Sequence, residues 1–190
     1  TIARALQGNR RDEHLFALQQ AVDLFEAYQA KIAQCDRQLA TELASFEKKG
    51  DPSNLDKKSP KRRRKNQPRF DGHTLLYQMT GVDLTAIPGL ESSSILTILS
   101  ETGTDMSSWP SEGHFTSWLA LPPNKAKTGG KVINKPLPKI QPNRASQAFR
   151  LAAQTLAKTQ CALGAFFRRI QYRYGWAAAI KATARKLAVI

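Results

Sequence analysis

Residues 142–190 read PNRASQAFRLAAQTLAKTQCALGAFFRRIQYRYGWAAAIKATARKLAVI. Pro142 and Asn143 supply a helix start, after which Ala145, Ala148, Phe149, Ala152, Ala153 and Leu156 recur on one face. A second helix gathers Leu163, Phe166, Phe167 and Ile170 and ends before Gly175, and a third carries Ile180, Ala184 and Leu187. The small residues among them let helices approach closely. This stretch also contains no acidic residue, and none occurs anywhere after Glu112. The first 112 residues carry 15 basic and 15 acidic side chains, so the formal charge of +14 belongs to the last 78. Cations gathered that one-sidedly repel one another in a compact fold and call for a polyanionic partner, with nucleic acid the first candidate.

The remaining composition agrees with a folded, helical protein. With 190 residues and 41% apolar content the chain can bury at least one core. No apolar run approaches the roughly 20 residues that cross a bilayer, and the start lacks a signal-peptide pattern. The expectation is a soluble, intracellular protein. Cys35 and Cys161, far apart and alone, suit reduced, packed thiols better than a disulfide framework or a metal site. The chain opens on Thr1 without an initiator methionine, as a piece of something longer would.

Upstream, Asp12 reads as an N-cap, and Leu15, Leu18, Val22, Phe25, Ile32, Leu39, Leu43 and Phe46 follow at alternating spacings of three and four. That predicts one long helix. Its seam suits a coiled-coil dimer, a helical hairpin or an ordinary amphipathic helix on its own domain. Gln29 and Asp36 fall on the same seam, where polar residues commonly fix register. Gly50 to Asn54 stop the helix, and Lys57, Lys58, Lys61, Arg62, Arg63, Arg64, Lys65 and Arg69 then form a solvated basic linker able to touch phosphates without reading sequence. From Leu84 to Leu99 a short helix end, the turn Ile87-Pro88-Gly89-Leu90 and the run after Ser92 outline a helix-hairpin-helix. A second glycine usual in such hairpins is replaced by Glu91, whose carboxylate would repel a phosphate. The fold class is therefore mainly α: an arm over 1–50, a basic linker over 51–79 and a compact helical domain over 80–190.

One stretch is more specific. Residues 118–131 read WLALPPNKAKTGGK. Together with Ile87-Pro88-Gly89-Leu90, Ser100-Glu101-Thr102-Gly103, Phe115 and Asn143-Arg144-Ala145, they form an ordered set that resembles the C-terminal domain of the insertion-sequence one-hundred-and-ten family of transposases. The N-terminal helix resembles the coiled coil that precedes that domain. The resemblance implies a DNA transposase or site-specific recombinase, acting on DNA in the bacterial cytoplasm beside the nucleoid, forming homo-oligomers through the coiled coil and in some members guided by an RNA. It further implies a RuvC-like nuclease domain, with a DEDD acidic set and its divalent metal, ahead of the coiled coil. This chain begins where that domain would already have ended, so no cofactor is expected in it and none of those acidic residues is carried over.

The resemblance aligns Thr128 with the family's nucleophilic serine. A hydroxyl there would attack a phosphodiester, with Gly129 and Gly130 letting backbone amides approach the phosphate and Lys131 balancing charge. The extra methyl of threonine crowds the attacking oxygen and stiffens χ1, and the pattern offers no base beside it. A degenerate copy, a tolerated substitution and a nucleophile located elsewhere all stay open. Without the resemblance, Lys125 to Lys131 reads as a flexible basic loop. The expected phosphate contacts are Lys125, Lys127, Gly129, Gly130, Lys131, Arg144, Arg168, Arg169 and Arg173. His14, His73 and His114 have no ligand-spaced neighbours, which argues against a metal site or an Asp/His/Ser relay. Phe115 and Trp118, three apart, read as core in preference to a base-stacking pair. The expected activity is DNA binding by a transposase portion that does not cleave by itself. Its rivals are a non-enzymatic helix-hairpin-helix nucleic-acid-binding protein and, further off, a membrane-surface protein with basic amphipathic helices.

Overall fold

The fold is described from a computed structural model, which covers residues 8, 11–55, 67–122, 126–128, 131–133 and 143–190, the two three-residue segments as backbone alone. The linker cations from Lys57 to Lys65, and Lys125, Gly129 and Gly130 in the later loop, lie outside the described residues. Among the described residues there are seven α-helices and one antiparallel pair of short strands. The mainly helical expectation holds.

Helix α1, Asp12–Ser45, runs for 34 residues without a glycine or proline and so extends about 50 Å. Arg11 is its N-cap and Asp12 its first residue, one position earlier than the sequence suggested. Asp12 and Glu13 place carboxylates against the positive end of the helix dipole instead. No residue of α1 is buried. Leu15, Phe16, Leu18, Val22, Phe25, Tyr28, Ile32 and Leu39 are all exposed, so the seam from Leu15 to Leu39 has no partner within the described residues, whereas Leu43 is half-buried against the core. The two polar seam positions behave differently. Asp36 accepts a hydrogen bond from the Arg69 backbone N–H at 3.0 Å, and the Arg69 guanidinium donates to Gln29 Oε1 at 2.9 Å. Both side chains thus accept hydrogen bonds from within the chain.

Helix α2, Gly72–Thr80, folds inside the stretch read as linker. Asp71 starts it, its carboxylate accepting from the Thr74 backbone N–H at 3.2 Å and from the Thr74 hydroxyl at 2.6 Å. These bonds hold the Asp71 carboxyl below its ordinary range against the opposing effect of partial burial, the largest single influence, which raises it. Leu76 and Met79, three residues apart, bury its inner face. The backbone N–H groups of Lys49 and Gly50 both donate to the Gln78 carbonyl, so the end of the arm is tied to α2.

The domain proper is built on three helices, α5 (Arg144–Thr155), α6 (Ala162–Tyr174) and α7 (Trp176–Val189). Asn143 caps α5, its side chain accepting from the Ser146 N–H at 2.7 Å. Ala145, Ala148, Ala152 and Ala153 on α5, and Ala179 and Ala184 on α7, are buried, and these short side chains let the two helices pack closely. Helix α3 (Ser92–Thr102) packs on α5, while α4 (Glu112–Trp118) and α6 pack on α7. Phe167, Leu156, Leu119 and Leu121 are essentially sealed from solvent, a burial that stabilises by roughly 1.5–3 kcal/mol per side chain.

The hairpin expected over 84–99 consists of a single 3₁₀ turn, Leu84–Ala86, a reverse turn closed by Leu90 N–H to the Ile87 carbonyl at 3.1 Å, and α3. Gly89 has φ of 92°, and a Cβ there would lie 3.0 Å from the Ala152 carbonyl oxygen and 3.2 Å from Leu156 Cγ. The glycine is therefore needed to let the turn seat on α5. Trp109, Phe115 and Trp118 form an aromatic cluster with ring centroids 5.0 to 6.2 Å apart, and Phe115 is buried, as the core reading of Phe115 and Trp118 expected. Cys35 is exposed, contrary to the packed thiol expected there, because α1 buries no face; Cys161 is half-buried at the start of α6, its sulfur accepting from the Gly164 N–H.

Candidate nucleic-acid interface

The segment carrying Thr128 leaves the core at a braced point. Leu119 and Leu121 are buried on either side of Ala120, which holds a φ of 53° that few non-glycine residues adopt. The Leu121 N–H returns to the Thr116 carbonyl at 3.1 Å, and the Arg150 guanidinium donates to the Ala120 carbonyl at 3.3 Å. Arg150 Nε is buried with no hydrogen-bond partner among the described residues. Lys181 on α7 lies near enough to feel the Arg150 charge; burial first, and that charge second, hold its ammonium below the ordinary lysine range. The apolar half of the Trp118 to Lys131 stretch is thus an anchor, with two partly buried cations behind it.

Beyond the anchor, strand β1 (Ala126–Thr128) pairs antiparallel with β2 (Lys131–Ile133). The ladder sets Thr128 opposite Lys131, Lys127 opposite Val132 and Ala126 opposite Ile133. Sequence reasoning treated this as a plain loop and missed the ribbon. The signal was present: Gly129-Gly130 is a two-residue connection between segments that include Thr128, Val132 and Ile133. Of the residues expected in this loop, Thr128, Lys127 and Lys131 are placed by their backbone, whereas Lys125, Gly129 and Gly130 fall outside the described residues.

The helical arginines divide by use. Arg144, the first residue of α5, is exposed, but its Nε donates to Glu101 Oε1 at 2.6 Å and so ties α5 to the end of α3. Arg168 turns inward, donating to the carbonyls of Ala157 and Thr159 at 3.1 Å each, where the 3₁₀ turn Leu156–Lys158 leaves backbone acceptors at the end of α5. Arg169 and Arg173 are exposed one turn apart on α6. The Phe166 ring lies beneath Arg169, 5.6 Å from its guanidinium carbon, and beneath Lys186 of α7, 4.9 Å from its Nζ. These two cations rest on an aromatic face, which leaves their N–H donors directed to solvent.

The histidines belong to separate small networks. His73 Nε2 lies 3.0 Å from Asp83 Oδ1, and that carboxylate also accepts from the N–H and hydroxyl of Thr85. His114 Nδ1 lies 2.7 Å from Ser111 Oγ, a pairing of the N-cap residue with the third residue of α4. Among the described residues no three His, Cys, Asp or Glu side chains gather where a metal would sit, and no helix is long and apolar enough to cross a membrane. An apolar hollow of 240 Å³ opens between α3 and α7, lined by Ile95, Phe115, Phe149 and Leu187 among others, with Lys49 the one charged side chain among its described neighbours. It offers no acid and base converging on a substrate.

The chain's sequence can be set beside these features. Residues 83–168, which hold the turn at Gly89, the Ala120 anchor, the ribbon and the whole of α5, match the family model of Transposase IS116/IS110/IS902. No curated protein and no solved structure matches the chain.

Proposed function

We propose, from the match of residues 83–168 to the family model of Transposase IS116/IS110/IS902, that this chain is the C-terminal, DNA-binding portion of an insertion-sequence transposase, whose own contribution to transposition is to hold DNA and not to cut it. The observation that carries the reading is the charge distribution within and around the matched segment. After Glu112 every ionisable side chain other than histidine, cysteine and tyrosine is a lysine or arginine. Lys125, Lys127, Lys131, Arg144, Arg169 and Arg173 provide the phosphate contacts, and Arg168 holds the α5–α6 corner that positions its neighbours. The resemblance puts Thr128 at the position of the family serine, and its backbone pairs with that of Lys131. A denaturant-resistant protein–DNA adduct mapping to Thr128 would move the reading from binding to strand transfer.

The test is the paired change Lys127→Ala with Lys131→Ala. Removing two phosphate contacts is expected to weaken binding to all duplex sequences alike and to reduce the slope of log K against log salt by about 1.8. Fluorescence anisotropy across a salt series reads both effects. An unchanged slope removes the ribbon from the interface.

The arm has a complementary role. A stripe of large apolar side chains from Leu15 to Phe25, more than 40% exposed at each seam position, is unstable in water and supports self-association of copies through α1. Because Gln29 and Asp36 are already occupied by Arg69, the pairing runs along the N-terminal part of the helix. Leu18→Glu with Phe25→Glu is expected to leave the chain monomeric in sedimentation equilibrium while its helical content is kept; persistent oligomers would rule out this seam. An RNA guide is a further partner that the family's chemistry makes compatible with the same basic surface.

A further inference from the structure

The outward side of α6 and the elbow that follows it combine rings and cations in a way that duplex contact does not require. Tyr172 is 93% exposed, Tyr174 is 70% exposed and Trp176 is 48% exposed. Arg169, Tyr172 and Arg173 share one face of α6 by their spacing. Tyr174 ends α6 and Trp176 begins α7, with Gly175 between them turning the chain at φ 85° and ψ 172°. Trp176 is held on one side by an edge-to-face contact with Phe167, ring centroids 5.1 Å apart, and presents its remaining surface to solvent. Lys186 adds a third cation over Phe166.

A phosphate-only surface has no use for uncovered aromatic rings. In a duplex each base face is already covered by its neighbours, so a tyrosine ring finds only backbone to touch. A strand with unpaired bases presents both what the rings accept and what the arginines accept: π faces and a phosphate at every step. Tyrosine and arginine also dominate protein interfaces. Here the acid-free setting of α5 to α7 selects a polyanion.

We infer that the elbow made by Arg169, Tyr172, Arg173, Tyr174 and Trp176 holds a single nucleic-acid strand, its bases stacked on the two tyrosines and its phosphates on the two arginines. The inference rests on the nucleic-acid-binding reading above. Stacking and charge do not depend on the sugar, so DNA and RNA strands are held alike.

The test uses the full chain and three fluorescein-labelled probes of equal length: oligothymidylate, oligouridylate and a mixed-sequence duplex. Tyr172→Ala with Tyr174→Ala is expected to weaken both single-strand probes at least about fivefold for each ring removed. Duplex affinity and its salt slope stay at the wild-type values, because no charge has been lost. Tyr172→Phe with Tyr174→Phe retains single-strand binding, which separates stacking from any loss of fold or of a hydroxyl. An alanine pair that binds single strands like the wild type, or that loses duplex binding equally, overturns the elbow while leaving duplex binding by the wild type as support for the broader reading. A wild type that binds none of the three probes overturns both. Tyrosine-dependent capture of polyglutamate in place of the oligonucleotides overturns the inference in favour of an acidic protein partner.

Discussion

Gly164→Ala is expected to destabilise the chain by about 3 kcal/mol or more, although glycine to alanine within a helix ordinarily stabilises by up to about 1 kcal/mol. The reason is the corner between α5 and α6. A Cβ at position 164 would lie 2.1 Å from the Thr159 carbonyl oxygen and 2.8 Å from that of Leu156. Both obstacles are backbone, so no rotamer change relieves them. The Thr159 carbonyl is further fixed by the Arg168 guanidinium at 3.1 Å, and the Gly164 N–H is held to the Cys161 sulfur at 3.3 Å. Relief therefore requires α6 to move away from the turn, taking with it Phe167, which is fully buried. For a chain of this size a loss of about 3 kcal/mol lowers the thermal midpoint by roughly 6–12 °C. Circular dichroism melting measures it, with Gly113→Ala as the control, since a Cβ there meets only Ser111 Oγ at an ordinary 3.6 Å. A midpoint that rises in Gly164→Ala would mean the close corner is not present.

Reversal of charge on α6, Arg169→Glu with Arg173→Glu, is expected to reduce nucleic-acid affinity by roughly a hundredfold at low salt and to flatten the salt dependence. Both side chains are exposed, and among the described residues neither has a hydrogen bond or ion pair that holds the fold. The change takes the Arg169 guanidinium off the Phe166 ring and sets two carboxylates where cations faced the phosphates, so two phosphate contacts are lost and repulsion is added. Anisotropy with the same probes, alongside a melting curve that stays at the wild-type midpoint, reads the effect. Wild-type affinity in this variant would place the interface elsewhere. Arg168 is the instructive contrast: adjacent in sequence, it caps the carbonyls of Ala157 and Thr159, so replacing it disturbs folding before it disturbs binding.

Apolar residues at helical spacing located α1, α5, α6 and α7, and the run Ile95, Leu96, Ile98 and Leu99 behind three serines located α3. Periodicity passed over α2, whose nine residues bury only Gly72, Leu76 and Met79, too few to show a period, although Asp71 ahead of Thr74 was a readable cap. The ribbon was equally short, and β-branched residues at Thr128, Val132 and Ile133 were outweighed by the surrounding lysines and prolines. At the candidate interface, residue type gave the list of cations, whereas their division was not legible. Whether an arginine ends at a phosphate, a carboxylate or a carbonyl depends on which chain elements arrive beside it from far away in sequence, as Glu101 does for Arg144 at a separation of 43 residues.

Composition and spacing alone determined that this is a helical chain with an acid-free, cationic second half and an apolar stripe along its arm, because charge and periodicity are properties of single segments. The tertiary fold decided which of those charges face water. It turned Arg168 and Arg150 onto backbone carbonyls, paired Arg144 with Glu101, gave Gln29 and Asp36 to Arg69, and left Arg169, Tyr172 and Arg173 outward. The physical cause is that helix termini and strained turns leave unpaired carbonyls inside the molecule, and the nearest long donor is drawn to them before any ligand arrives.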